Sequence, residues 1–423
     1  MPDGRHSDPA PGALALVLAA GRGVRMRSRL AKVLHPLLGH PMVSFPVRAA
    51  QQVGLDVHVV VHHQQNAVRE ALEIHEVGFV EQSEPRGTGH AVSCALSVLP
   101  DQGTLVVLAG DTPLLGPETL RALLDAHGDN LVTVLTASMD EPGEYGRLVR
   151  DAQGQPVGIV EASEASLEQL AIREINSGVY AFDLAWLREV VPALPVHEPK
   201  GEIYLTDVLA LAVEQGRAAA LCHDDAQEVL GVNDRWSLAR ARRVLQERVN
   251  RAHALAGVTF VDPGNTHVDL DVAMGQDVTL GAGVNLTGTT VLGEDVEVGA
   301  HCVLNDTVVA AGARILAGSI CDGAVIEGGA RVGPLARLRP GARIGERARV
   351  GNFVEVKNST LEVGATVGHL SYVGDAVVGR NTNVGAGTIT CNYDGFAKHT
   401  TEIGANAFIG SNTALVAPVK VGE

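Results

Sequence analysis

The chain has 423 residues, 46% of them apolar and only 3% aromatic, with a formal net charge of −16. Its length implies two or three domains with cores built from Val, Leu, Ala and Ile. The acidic balance excludes general binding to nucleic acid or to a membrane surface, so any anionic small molecule must be held by local basic groups. Five cysteines, at 94, 222, 302, 321 and 391, are an odd number without a CxxC pair. They predict reduced, mostly buried thiols in a cytoplasmic protein, with no disulfide framework and no zinc site. No run is long enough for a membrane span, and the polar first eleven residues lack the form of a signal peptide.

The first predicted element is a strand over residues 14–18. It opens into Ala19-Ala20-Gly21-Arg22-Gly23, and Arg25 and Lys32 follow. Glycines after a strand let backbone N–H groups close on a phosphate chain, and Arg25 and Lys32 supply charge for the same oxygens. The spacing is neither the dinucleotide-binding GxGxxG nor the P-loop GxxxxGK[ST]. Strands over 57–61, 105–108 and 131–135 then alternate with helical stretches over 67–74 and 117–126. This alternation predicts an α/β domain with a mainly parallel sheet covered on both faces, binding its ligand beyond the carboxyl ends of the strands. Asp111 stands at such an end, where a hard Mg²⁺ ion finds oxygen ligands. Asn233 offers a second oxygen, unless it or Asp234 simply caps the next helix. His62-His63 read as surface histidines, because no motif brings a third metal ligand near them.

Residues 234–256 read as one amphipathic connecting helix, with Leu238, Ala241, Leu245, Val249 and Ala252 as its apolar stripe. After Gly257 an aliphatic residue recurs at every sixth position, from Val278 and Val284 through Val296, Val308, Ile320 and Ile326 to Val356. Thr290, Cys302 and Arg314 break the series. The spacing resumes at Leu361, Val367 and Val373, and again at Ile403, Ile409, Leu415 and Val421. A six-residue period predicts an all-β domain of stacked hexapeptide coils, each burying one aliphatic residue per face. A polar loop around 383–395 interrupts the step, as a binding insertion would. Arg331, Arg337, Arg339, Arg343, Arg347 and Arg349 form a run that reads as a phosphate-binding cluster or, alternatively, as a solvated face.

The opening phrase, with Ala31-Lys32-Val33-Leu34-His35-Pro36-Leu37 after it, resembles the signature of sugar-1-phosphate nucleotidyltransferases. With Gly87-Thr88-Gly89-His90, residues 109–114, Tyr145-Gly146-Arg147, Ile175-Asn176-Ser177-Gly178, residues 201–207 and Gly231-Val232-Asn233, the likeness extends from about Leu14 to the last residue. It is to the bacterial bifunctional enzymes that join an N-acetylglucosamine-1-phosphate uridyltransferase to a glucosamine-1-phosphate N-acetyltransferase. That resemblance implies a Rossmann-like uridyltransferase domain over 1–235, a helical linker over 236–256 and a left-handed parallel β-helix over 257–423. The implied activity is acetyl transfer from acetyl-CoA to glucosamine 1-phosphate. A Mg²⁺-dependent uridylyl transfer from UTP to N-acetylglucosamine 1-phosphate follows, and the product feeds peptidoglycan and lipopolysaccharide precursors.

Carried over by the resemblance, Leu18, Ala19, Ala20 and Gly21 line the nucleotide with backbone amides, and Arg25 and Lys32 act on its phosphates. Gln82 and Gly87 read the uracil. Thr88, Gly146, Glu161 and Asn176 hold the sugar and ribose hydroxyls, and Asp111 and Asn233 bind Mg²⁺. In the second domain His369 is the implied base. Arg339 and Lys357 grip the sugar phosphate, while Tyr372, Asn383 and Asn392 orient the sugar. Tyr393 lies beside it, and Ala386 and Ser411 contact acetyl-CoA. The family also implies a homotrimer. The chain stops at Val421-Gly422-Glu423, in mid-coil by its own period, so the last domain is expected to be C-terminally truncated. A nucleotidyltransferase whose β-helix serves only oligomerisation is the rival reading, opposed by the cluster of His369, Asn383 and Asn392.

Overall fold

In the computed structural model, which describes residues 12–21 and 23–423, the chain divides into two compact units, 1–242 and 243–423. The polar first eleven residues and Arg22 of the opening phrase lie outside the described residues.

The strands of the first unit are β1 (Ala13–Leu18), β2 (Pro36–Leu37), β3 (His40–Pro41), β4 (Asp56–Val61), β5 (Val77–Glu81), β6 (Thr104–Ala109), β7 (Val132–Ser138), β8 (Arg147–Arg150), β9 (Pro156–Val160), β10 (Glu174–Asp183) and β11 (Ala218–His223). Its helices are α1 (Ser44–Gln52), α2 (Gln65–Ala71), α3 (Thr88–Ala95), α4 (Pro117–His127), α5 (Leu167–Leu170), α6 (Leu184–Val190) and α7 (Val208–Glu214). The main sheet runs β11-β7-β10-β6-β1-β4-β5. At its centre β1 pairs in parallel with both β4 and β6. Its run of Leu14, Ala15, Leu16 and Val17 is buried throughout, as a strand covered on both faces requires. Alternate residues feed two cores, Ala15 and Val17 into one and Leu14 and Leu16 into the other. The sheet is mainly parallel, but β10 runs antiparallel to both β6 and β7.

The helix α8 (Arg235–Leu255) continues from one unit into the other. Its buried stripe differs from the expected one. Ala241 and Leu245 are buried and Ala252 is exposed, while Gln246 and Asn250 are buried although polar. The reason lies in the start of the β-helix, whose carbonyls need donors when covered. Gln246 donates to Val268 O at 3.1 Å, and Asn250 donates to Pro263 O and Thr266 O, both at 2.9 Å.

The second unit consists of three parallel sheets of nine strands each, consistent with a left-handed β-helix of hexapeptide repeats. Thr279 pairs with Glu297 eighteen residues on, and Arg349 with Thr366 seventeen on. Each side of a coil points two residues inward, such as Ala336 with Leu338 or Ala348 with Val350. The strict six-residue ruler therefore slips. One residue is missing between the inward pairs Cys302/Leu304 and Thr307/Val309, and another between Cys321 and Ala324. Val308 and Ile320, which obey the ruler, face outward with 45% and 47% exposure, whereas Thr290 and Cys302, which break it, are fully buried. A corner shortened by one residue keeps the prism but shifts the sequence phase. Val419–Val421 forms the ninth strand of the third face.

All five cysteines are free, but only Cys302 and Cys321 are buried; Cys94 and Cys391 are half-buried and Cys222 is exposed. The expectation of mostly buried thiols fails for β11, where alternation turns Cys222 outward. Among the described residues no helix is long and apolar enough to cross a membrane. The corrected phase is testable by denaturant unfolding of the full chain. Ile326→Ala, which empties an inward slot, should cost about 2–5 kcal/mol, whereas outward Ile320→Ala should stay within about 0.5 kcal/mol of the parent.

Candidate functional site

Parallel pairing brings the carboxyl ends of β1, β5 and β6 to one edge of the sheet, and a cavity of about 510 Å³ opens there. Leu18, Ala20, Gly21, Lys32, Gln82, Gly87, Thr88, Asp111, Glu161 and Asn176 all line it. Asp111 is fixed where β6 ends: Gly110 N–H donates to Leu18 O at 2.9 Å and Val232 N–H donates to Asp111 O at 2.8 Å. The second of these bonds brings residues 231–233 to the site. Lys32 Nζ contacts Asp111 Oδ2 and lies 3.2 Å from Asn233 Oδ1, so two oxygens from distant segments converge on one cation.

On the opposite side, Gln82 donates to Gly87 O at 3.1 Å and meets His90 Nδ1 at the same distance. Gly87 has a φ of 91°, and a Cβ there would stand 2.5 Å from Ile203 O. Only glycine fits that contact. Leu205 N–H donates to Thr88 Oγ1 at 3.1 Å, which holds the segment after Ile203 over the start of α3. Asn176 Oδ1 accepts from Tyr180 Oη at 2.8 Å and from Gly178 N–H at 3.0 Å, leaving its NH₂ as the group to donate to a ligand. Gly146 O accepts from Asn176 N–H at 2.9 Å. Burial, and then Glu164, raise the pKa of Glu161, with Asp207 and Glu202 adding to this and Lys200 opposing it.

Four expected residues stand apart from the cavity lining, and one of them, Asn233, meets it only through Lys32. Ala19 donates its amide to Val60 O at 2.9 Å, so that N–H serves the sheet rather than a ligand. Arg25 is exposed and paired with Glu144. Gly146 supports Asn176 from behind. Sequence reasoning also missed nine lining residues, Val33, Pro85, Ala91, Ala109, Gly178, Tyr180, Glu202, Leu205 and Thr206. The last three belong to the quoted 201–207 phrase, and that phrase was the available signal.

In the second unit two columns hold four of the expected residues, His369, Ala386 and Ser411 in one and Asn392 in the other. Asn352 pairs with His369, and the same register continues through Ala386 to Ser411. These four occupy one corner in successive coils. Asn358, Asp375 and Asn392, each seventeen residues after the last, occupy the next corner. Between the columns lies one sheet face, on which Glu355 pairs with Tyr372. Arg339 meets Glu355 at 2.9 Å. Lys357 lies 3.2 Å from Asp375, and Asn358 donates to Asp375 at 2.6 Å. Asn392 also donates to Asp375. Burial works against that carboxylate, but Asn358, Asn392 and Lys357 hold its pKa below the usual range. Asn383 lies on the adjoining face between Thr366 and Phe408. Tyr393 is exposed on the inserted loop, donating to Gly395 O at 2.6 Å.

The arginine run does not converge. Arg331 and Arg349 stack on one face with Arg314, Arg337 lies on the second face and Arg343 on the third. Residues six apart fall on successive sides of a three-sided coil, which is why a run in sequence is dispersed in space. Asp375, Glu355 and Asn352 were not among the expected site residues.

Residues 15–185 match the family model described as a MobA-like NTP transferase domain. Over 96–97% of its length the chain is similar to proteins named "Bifunctional protein GlmU". The Pelobacter propionicus protein is 43% identical, that of Methylococcus capsulatus 46% and that of Alkalilimnicola ehrlichii 47%, with 88–90% of each relative covered. The chain belongs to the GlmU family. Membership accounts for both halves at once, since the likeness spans the cavity of the first unit and the two columns of the second.

The raised pKa of Glu161 has a stability consequence. A carboxyl that binds its proton more tightly when folded costs stability above its folded pKa, and the cost fades as pH falls. Glu161→Gln should therefore raise the melting temperature of the first unit at about pH 8, and the gain should vanish near about pH 4. A gain equal at both pH values would contradict the burial of that charge.

Proposed function

We propose that the chain makes UDP-N-acetylglucosamine in two reactions. The unit built on residues 257–423 transfers acetyl from acetyl-CoA to glucosamine 1-phosphate. The unit over 1–235, joined through the 236–256 helix, transfers uridylyl from UTP to N-acetylglucosamine 1-phosphate. The observation that carries this reading is the convergence of Asp111 and Asn233 on Lys32 at the cavity edge.

That donor set fits Mg²⁺. A carboxylate and a carboxamide oxygen are hard ligands, they already face a shared cation, and Mg²⁺ takes few protein ligands beside phosphate and water. When bound there through Asp111 and Asn233, Mg²⁺ supplies neutralisation of triphosphate charge. Lys32, displaced from its two partners, turns to the phosphates, and Arg25 leaves Glu144 for the same role. Ala20 and Gly21 let the phosphates approach the backbone. Gln82 and Gly87 read the uracil edge, while Thr88, Glu161 and Asn176 hold hydroxyls. A phosphate oxygen of the sugar attacks the α-phosphorus in line and pyrophosphate leaves. Such a reaction asks for positioning and charge, not a protein nucleophile.

For acetyl transfer, Arg339 and Lys357 hold the sugar phosphate, and Tyr372, Asn383 and Asn392 orient the ring with Tyr393 beside it. Acetyl-CoA runs along the column of Ala386 and Ser411, which contains His369. This histidine takes the proton of the attacking amine. A homotrimer suits this arrangement because both columns border an open face. Leu335, Phe353 and Leu370, 50–64% exposed at neighbouring corners with positive φ, give that edge an apolar ridge for a second copy. A cytoplasmic location fits acetyl-CoA and UTP as substrates and five free thiols.

Two substitutions separate the activities. Asp111→Ala should lower Mg²⁺-dependent pyrophosphate release by at least about a hundredfold while leaving CoA release unchanged. His369→Ala should do the reverse, by about 10²–10⁴-fold in CoA thiol release. Near-normal pyrophosphate release by the first variant would remove Asp111 from the metal site.

A further inference from the structure

His369 has one side-chain contact that decides which of its nitrogens can act. Its Nδ1 lies 2.5 Å from Asn352 Oδ1, and the two residues are ladder partners in adjacent coils. The pairing is held from several sides. Leu370 N–H donates to Asn352 O at 3.1 Å, and Ser371 Oγ donates to His369 O at 2.8 Å. Immediately before the pair, a Cβ on Gly351 would stand 1.8 Å from Gly368 O, so the two strands touch backbone to backbone. A carboxamide oxygen only accepts hydrogen bonds. Nδ1 must then carry the ring proton, which leaves the lone pair on Nε2. His369 is exposed, so that lone pair is open to a ligand.

We propose that Asn352 is a positioning residue for acetyl transfer: by accepting the Nδ1 proton, it holds His369 in the tautomer whose Nε2 serves as base. The proposal rests on the reading of His369 as that base. As the amine nitrogen bonds to the acetyl carbon, its proton passes to Nε2. The carbon–sulfur bond then breaks, and the CoA thiolate leaves and takes the proton from the imidazolium. The choice of a carboxamide has a chemical consequence. It fixes the tautomer without placing a negative charge beside the ring, so the imidazolium is not trapped by an ion pair and can hand its proton on.

The test is ¹⁵N NMR of the full chain with selectively labelled histidine, the ring signals of His369 being assigned by their loss in His369→Gln. The parent should show a protonated Nδ1 and an unprotonated Nε2. Asn352→Leu should lose that preference and lower kcat for CoA release by about tenfold or more, with KM for both substrates little changed. Its uridylyl transfer should stay at the parent rate, which reports that the chain is folded. Asn352→Asp keeps an acceptor and should keep the tautomer, but its carboxylate should hold the imidazolium in an ion pair and lower kcat with KM little changed. A parent ring protonated on Nε2 would overturn the proposal, since Asn352 would then be donating its NH₂. So would an Asn352→Leu variant with unchanged spectrum and kcat. Should the tautomer be as stated but His369→Ala still transfer acetyl, the fault would lie in the reading of His369 as base.

Discussion

Parallel pairing is the constraint on which both units depend. Strands that run the same way deliver their carboxyl ends to the same edge, whatever separates them in sequence. In the first unit this brings Gly21, Gln82 and Asp111 from three strand ends to one cavity. In the second it works coil upon coil, so that a residue seventeen or eighteen positions on stands directly above its predecessor. A site in such a solenoid is a column, not a loop cluster. His369, Ala386 and Ser411 form one column, and Asn358, Asp375 and Asn392 another.

Charge is handled differently in the two sites. In the first, Lys32 holds two oxygen ligands together, and a metal arriving with the nucleotide would release that ammonium toward phosphate. In the proposed reaction this arrangement would hold a cation where the phosphates arrive, and it would limit the repulsion between Asp111 and an incoming triphosphate. In the second, Asp375 gathers Lys357 and Asn358 from the coil before it and Asn392 from the coil after it. An anionic group bound by Lys357 has to compete with that carboxylate. In the proposed acetyl transfer the pairing would keep Lys357 ordered at some expense in its strength as a phosphate ligand.

The β-helix tolerates irregularity as long as its inward pairs remain stacked. Four corners are short by one residue, after Leu304, Cys321, Val356 and Val373, and an eight-residue insertion lengthens the spacing between Asn383 and Phe408 to twenty-five. Neither disturbs the nine-strand faces. Corners absorb such changes because they carry left-handed residues outside the core, many of them Asn, Asp or Gly. His301, Leu335, Arg347, Phe353 and Leu370 are the exceptions, bulky residues held in a conformation that disfavours them.

The sequence alone determined the two fold classes, the connecting helix and most of the cavity lining. Those features depend on local periodicity and on short phrases such as 16–23, 87–90 and 201–207, whose residues stay near one another in space. Tertiary structure decided everything that depends on phase or on distant pairing. The six-residue ruler misassigned Val308 and Ile320, because a one-residue deletion at a corner changes sequence phase without changing geometry. Gln246 and Asn250 are buried because the start of the β-helix offers carbonyls that no helical pattern reveals. The arginine run from 331 to 349 is dispersed because a coil has three sides. Asn352 and Asp375 gain their significance only from the residues stacked above and below them, seventeen positions away, where no local signal in the chain points.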